Sequence, residues 1–278
     1  MRRIPGTISG IASAMIVFAL YAATAEAQTS RYKGPRTKDG KPDLSGIWQV
    51  LNTANWDLQA HAARAGHVVA LGAQNAEPAG IGVVEGNEIP YLPSALAQKN
   101  KNHENRFTDD PEIKCYMPGV PRATYMPFPF QILQSQKVIQ VSYEFAAAAR
   151  AIFMDKAPEA PTDFWMGHSV GRWEGDTLVV DVTNLVDQTW FDRAGNFHSD
   201  ALHVVERYLP VTPDLLQYEA VIEDAKVFSR PWKISMPLYR HVEKNARLME
   251  FRCAEFIEEL LYGQYRREPR TKQGQGKE

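Results

Sequence analysis

The chain carries only two cysteines, Cys115 and Cys253, in 278 residues. Two thiols so far apart make no metal motif, because metal ligands recur at short spacings. A basic block is missing, and so is any interleaving of basic and aromatic residues. Nucleic acid is therefore excluded as an expected partner. Charge of either sign is scarce in excess: 31 basic residues face 33 acidic ones, a formal net charge of −2. Beyond residue 27 no apolar run approaches the roughly 20 residues of a membrane-spanning helix.

What is present begins at the N-terminus. Arg2 and Arg3 precede an apolar stretch from Gly10 to Thr24, and Ala25-Glu26-Ala27 follows it. Charged start, apolar middle and small-residue cleavage site are the three parts of a secretory signal peptide. We expect cleavage after Ala27 and a periplasmic or secreted product. The general secretory route is expected, since the longer context of a twin-arginine signal is absent. Removing Arg2, Arg3 and Glu26 leaves 29 basic and 32 acidic residues, a formal charge of −3. An oxidising compartment lets a disulfide persist, so Cys115 and Cys253 are expected to bridge, with two buried free thiols as the alternative. The expected organisation is a signal peptide over 1–27, a flexible polar lead-in over 28–42, one domain over 43–268 and a disordered tail over 269–278.

Within the domain, residues 52–129 read as an insertion of helix and coil. The alanine-rich stretch 55–74 is compatible with a helix weakened by Gly66. Residues 93–106, with Pro93 in the first turn, predict a short helix. Five prolines between Pro111 and Pro129 predict irregular chain. After Phe130 the pattern turns to short strands. QILQSQKVIQVSYEF gives two, AARAIFM one and GRWEGDTLVVDV a hairpin. DALHVVERYLP, LLQYEAVIED, PWKISMPLYRH and ARLMEFRCAEF give one each. In LLQYEAVIED the residues Leu216, Tyr218, Ala220 and Ile222 share one face. EFIEELLYGQYRRE reads as an amphipathic helix with Phe256, Leu260 and Leu261 on one side. Regularly spaced strands separated by turns predict a mainly β fold, an antiparallel barrel of about eight strands with peripheral helices. A barrel of that size can hold one small ligand.

Gly167-His168-Ser169-Val170-Gly171 matches the G-x-S-x-G of a nucleophile elbow. An elbow needs a strand before the serine and a helix after it. Here a proline-rich stretch precedes the motif, and Gly175-Asp176 turns the chain into a hairpin behind it. Ser169 is therefore not expected to be a nucleophile. That hairpin register sets Trp173 opposite Leu178, Gly171 opposite Val180 and Ser169 opposite Val182. It puts His168 diagonal to Asp181 on the other face, where the pair is either a general base with its orienting carboxylate or an exposed ion pair.

The densest set of reactive groups lies in 187–207. His198, His203, Asp192 and Glu206 are the candidates for acid/base catalysis, with His168 beside them and Arg207 to place an anion. The bland alternative makes them surface ion pairs. Trp190, Trp173, Trp165, Tyr143 and Tyr218 are candidates to line a cavity, because aromatic side chains dominate ligand pockets. His198 and His203 are spaced as H-x4-H across a loop–strand boundary, which is no standard ligand pattern. No metal and no cofactor is expected.

Gly46-Ile47-Trp48 resembles the G-x-W signature of lipocalins, in which the tryptophan closes the bottom of a barrel near its first strand. This chain departs from that pattern by the roughly 80 residues that separate Trp48 from the main run of strands. The string SVGRWEGDTLVVDV, with DLSGIW upstream and W-x-D-x-x-G and ER downstream, also resembles a group of uncharacterised exported bacterial proteins. The resemblance implies a lipocalin-like barrel, a fold of carriers and of a few isomerases, cyclases and hydratases. The expected function is binding of a small hydrophobic or aromatic molecule, with acid/base chemistry of the isomerase, hydratase or lyase type as a possible extension. A non-enzymatic envelope carrier or interaction protein is the alternative, and a metal-dependent hydrolase a distant third.

Overall fold

The structure, a computed structural model, describes residues 32–265 apart from 67, 69, 70, 74 and 75. The signal-peptide stretch and the tail 269–278 lie outside the described residues. The chain forms a closed β-barrel in which sequential strands are neighbours throughout. The strands are β1 (Gly46–Gln49), β2 (Phe130–Gln134), β3 (Val138–Tyr143), β4 (Ala149–Met154), β5 (His168–Glu174), β6 (Thr177–Thr183), β7 (His203–Thr212), β8 (Leu215–Glu223) and β9 (Trp232–Arg240). β1 closes the ring by pairing with both β2 and β9.

The barrel has nine strands where about eight were expected, and that odd number has a consequence. A closed ring of alternating strands needs an even count. With nine, one neighbouring pair must run parallel, and that pair is β4 and β5. Parallel neighbours cannot be joined by a tight turn. Residues 155–167 accordingly carry the chain back along the barrel from the end of β4 to the start of β5.

Alternation sorts side chains between the two faces. On β7 the residues Val204, Glu206 and Tyr208 are buried, while His203, Val205 and Arg207 between them are half-buried on the outside. On β8 the buried set is Leu216, Tyr218, Ala220 and Ile222, the face read from the sequence. The β5–β6 hairpin has the expected register, with Trp173 opposite Leu178 and Ser169 opposite Val182. Trp48 is wholly buried, donates its indole N–H to the Leu44 carbonyl at 2.9 Å, and has the Arg240 guanidinium 4.3 Å above its ring. A Cβ at residue 46 would lie 2.1 Å from Arg240 Nη1, so the glycine of Gly46-Ile47-Trp48 is the residue that lets Arg240 reach the ring.

The insertion between β1 and β2 carries α1 (Pro93–Glu104), α2 (Arg106–Asp109) and α3 (Arg122–Tyr125). α1 lies where the proline-led helix was expected. Over its described residues the alanine-rich stretch does not form the α-helix its composition suggested. His61 and Arg64 instead bridge back to Gly80 and Glu77. Alanines bury little surface, and a helix without an apolar face to dock gains little from packing. All four residues of α3 are buried. Tyr125 donates to the Phe191 carbonyl at 2.8 Å, tying α3 to the β6–β7 loop over the barrel end where β7 begins.

Two further expectations are corrected. ARLMEFRCAEF forms no strand: residues 246–256 are irregular. β9 is already paired along both edges, so the closed ring has no free edge for another strand. The segment is held by the Cys115–Cys253 disulfide instead. The final helix, α4 (Ile257–Tyr262), is short, and Leu260 and Leu261 on it are 74% and 53% exposed. From residue 32 the chain meets the barrel, where Arg36 grips Asp176 of the β5–β6 turn with two hydrogen bonds of 2.8 Å.

Candidate functional site

Strand alternation places a charged pair inside the barrel. Arg150 of β4 and Glu206 of β7 meet at 2.7 Å (Nη1 to Oε2), with side chains 1% and 0% exposed. Glu206 Oε1 also accepts from Arg150 Nη2 at 3.0 Å, from the Tyr208 hydroxyl at 3.0 Å and from the Tyr218 hydroxyl at 2.8 Å. The contact at Oε2 is ionic only, since its angle makes no hydrogen bond. Ser169 Oγ stands 3.4 Å from Arg150 Nη1. Burial pushes the Tyr208 and Tyr218 hydroxyls well above their ordinary range, and Glu206 adds to it, so both remain donors. Burial opposes the charge on Arg150, but Glu206 outweighs it and the guanidinium stays protonated.

Three further polar atoms are buried at this place. Tyr143 Oη, Thr124 Oγ1 and Arg150 Nε complete no well-formed hydrogen bond. They are close neighbours nonetheless: burial raises the Tyr143 hydroxyl, while Arg150 and Thr124 are near enough to pull it down. Thr124 also acts on Tyr208. α3 thus lays its threonine over the charged cluster.

The parallel β4–β5 pair builds a cavity beside this cluster. The returning segment lays Phe164, Trp165 and Met166 against the start of β4, lining an open-sided cavity of about 360 Å³. Met117, Phe153, His168 and Asp163 also line it, on the outward side of β4, whereas the Arg150 side chain, 1% exposed, is turned to the barrel interior. Trp165 packs at 5.0 Å against Tyr116, and the His168 ring lies 5.7 Å from Phe153.

The residues singled out in the sequence are dispersed. Glu206, Tyr143 and Tyr218 meet inside the barrel, and Trp165 and His168 meet in the cavity. His203 and Arg207 do not join them. They occupy outward positions of β7, where His203 lies between Asp181 (3.3 Å) and Glu223 (3.4 Å) and Arg207 pairs with Glu174 at 2.9 Å. A strand alternates faces, so Glu206 and its neighbour Arg207 cannot serve one site. Asp181 pairs with Arg172 and His203 rather than with His168.

His198 and Asp192 are fixed within the β6–β7 loop. His198 Nδ1 faces the Ser199 carbonyl at 2.8 Å, and Nε2 faces the Thr189 hydroxyl at 2.6 Å. Both ring nitrogens are occupied, and burial lowers the pKa, so the ring is neutral. Asp192 receives the backbone N–H of Leu58 (2.9 Å) and of Asn196 (3.1 Å) and the Asn196 side-chain amide (2.6 Å). Burial, with Asp57 nearby, raises it to about 7. Both groups hold the loop. Trp190 is buried there and bridges to Phe197, while Trp173 packs against the core with Lys41 over its ring.

A second buried network fastens the insertion to that loop. Arg122 grips Asp110 at 2.9 and 3.2 Å and Glu112 at 2.6 Å, and Arg193 grips Glu112 with two bonds of 2.8 Å. Burial alone would raise Glu112, but Arg193 and Arg122 hold it at about 2.

Sequence reasoning missed Arg150, Tyr208 and Thr124. Arg150 had a signal: it stands two residues before Ile152 in an apolar strand, so period two puts both on the inner face. Thr124 had none, because only the path of the insertion brings it over the barrel. Ser169 lies within β5, paired on both sides, and not on a strand-to-helix turn. Among the described residues no three His, Cys, Asp or Glu side chains converge as metal ligands would, and no helix is long and apolar enough to cross a membrane. No protein-family model, curated protein or solved structure matches the chain.

Proposed function

We propose that this protein is an exported, lipocalin-like receptor that holds a small apolar or aromatic molecule in the cavity between β4 and the segment returning to β5. The observation that carries the reading is the cavity itself. About 360 Å³ falls within the range of small-molecule sites, and so does an aromatic lining with a few polar groups. The buried Trp48 at the start of the barrel and the disulfide fit a lipocalin-like protein in an oxidising compartment.

Acid/base chemistry on the bound molecule is a second reading. It is favoured by one feature, the His168 imidazole in the cavity lining. His203, Arg207, His198 and Asp192 take no part in it.

Titration with the fluorescent apolar probe 1-aminoanthracene tests the binding reading. Saturable binding is expected, weakened about tenfold by Trp165→Ala, the effect of removing roughly 1.4 kcal/mol of aromatic contact. Equal affinity in the wild type, Trp165→Ala and Phe153→Ala would place the probe elsewhere and overturn it.

A further inference from the structure

We infer that the cavity behind the Cys115–Cys253 bridge is a second site, for a small uncharged aromatic molecule, and that the bridge is its latch. This site stands apart from the one proposed above, since the two cavities share no lining residue.

The second cavity measures about 230 Å³ and is partly open. The insertion gives Phe107, Ile113 and Phe128 to one side, and Phe145 of the β3–β4 turn stands beside them. The facing wall is the chain after β9, with Phe251, Cys253 itself and Phe256. Phe251 meets Phe128 edge-on at 4.9 Å and Phe145 at 5.0 Å. Edge-on and tilted rings are the arrangement in which aromatic groups attract one another, so the wall suits one more ring. An apolar space of this kind gives water few partners and readily takes a single aromatic ring. The adjoining end of the chain offers no filler, because residues 266–278 carry no aliphatic or aromatic side chain other than Pro269. Charge argues against an ion. Arg193 is matched by Glu112 through two bonds of 2.8 Å and is not free to receive an anion. Glu258 and Glu259 on the rim would repel one. For a cation, Glu258 at 38% exposure is screened by water and adds little.

The bridge governs the movable wall. Residues 246–256 are irregular and join no strand of the barrel. Besides the bridge, the wall is tied by the Phe256 N–H to the Ile113 carbonyl at 2.9 Å and by the Met249 N–H to Glu144 at 2.7 Å. The bridge fixes it to the turn after Ile113, the side of the cavity that the insertion builds. Cys253 is exposed and Cys115 half-buried, so an attacking thiol can reach the bond. A dithiol delivers two electrons and two protons: the S–S bond breaks, two S–H bonds form, and the dithiol becomes a disulfide. The wall that carries Phe251 and Phe256 then leaves the rings it faces, and the site opens.

Fluorine NMR titration of the full protein with 4-fluorotoluene tests the inference. The oxidised protein is expected to bind it saturably, at least tenfold more weakly in Phe251→Ala and within twofold of the wild type in Trp165→Ala. Dithiothreitol should weaken binding at least tenfold, and reoxidation should restore it, while 1-aminoanthracene affinity stays unchanged. By reciprocity, saturating 4-fluorotoluene should shift the thiol–disulfide equilibrium of Cys115 and Cys253 toward the bond by the same factor, read by alkylating free thiols and weighing the protein. If Phe251→Ala does not fold, the effect of reduction and the shifted equilibrium decide. Equal binding before and after reduction, or unfolding of the barrel on reduction, would overturn the latch. Loss of binding in Trp165→Ala but not in Phe251→Ala would place the probe in the other cavity and overturn the second site, as would no binding at all.

Discussion

Arg150 on β4 and Glu206 on β7 meet at 2.7 Å across the barrel interior, and neither side chain reaches solvent. Removing one partner leaves an uncompensated buried charge, which destabilises by about 3–5 kcal/mol. Arg150→Met should therefore lower the urea midpoint steeply. The double variant Arg150→Met/Glu206→Leu should recover most of the loss, because a packed apolar pair is often as stable as a buried ionic one. A double variant as unstable as the single would show that the tyrosines depend on the carboxylate for more than charge balance.

Asp192 predicts a pH dependence of folding. Its carboxyl sits at about 7 in the folded chain against 3.8 ordinarily, raised by burial and by Asp57. The folded state then holds the proton more tightly than the unfolded state. The contribution is fully present below about pH 4 and is lost as pH rises through about 7, up to about 4 kcal/mol in all. Urea midpoints should fall from about pH 4 to about pH 7, and Asp192→Asn should flatten that part of the profile. An unchanged slope in the variant would assign it to another group.

The barrel itself was legible in the sequence because alternation in β7, β8 and the β5–β6 hairpin is a local property. Gly175-Asp176 set that hairpin's register residue by residue. The site was half legible. Glu206, Tyr143, Tyr218, Trp165 and His168 were singled out, but the grouping was wrong: residues close in sequence, such as Glu206 and Arg207, face opposite ways on one strand. The true neighbours come from β3, β4, β7, β8 and α3, and ring closure decides who meets whom. The parallel β4–β5 pair, which builds the cavity, follows from an odd strand count that no single segment reveals.

The disulfide closes a separation of 138 residues and tethers chain that contributes no strand to the barrel. Cys253→Ser should free the segment after β9 while the barrel persists. Hydrogen exchange should rise sharply over 241–265 and little over β2–β9. The entropic model gives a loss of roughly 5 kcal/mol for a loop of this order. Loss of protection throughout the strands would mean that the segment holds the barrel together.

His203 and Arg207, on the outer face, should matter little. Exposed pairs contribute about 0–1 kcal/mol. His203→Ala and Arg207→Ala should each keep 1-aminoanthracene affinity within twofold of the wild type. A tenfold loss in either would place a binding surface on the outside of β7.

The most direct test of the central claim is native mass spectrometry of the purified, folded protein, with solvent extraction of whatever leaves it. The account predicts one small apolar or aromatic molecule per chain on the wild type and depleted from Trp165→Ala. A bare mass in both, with neither taking up 1-aminoanthracene, would contradict it.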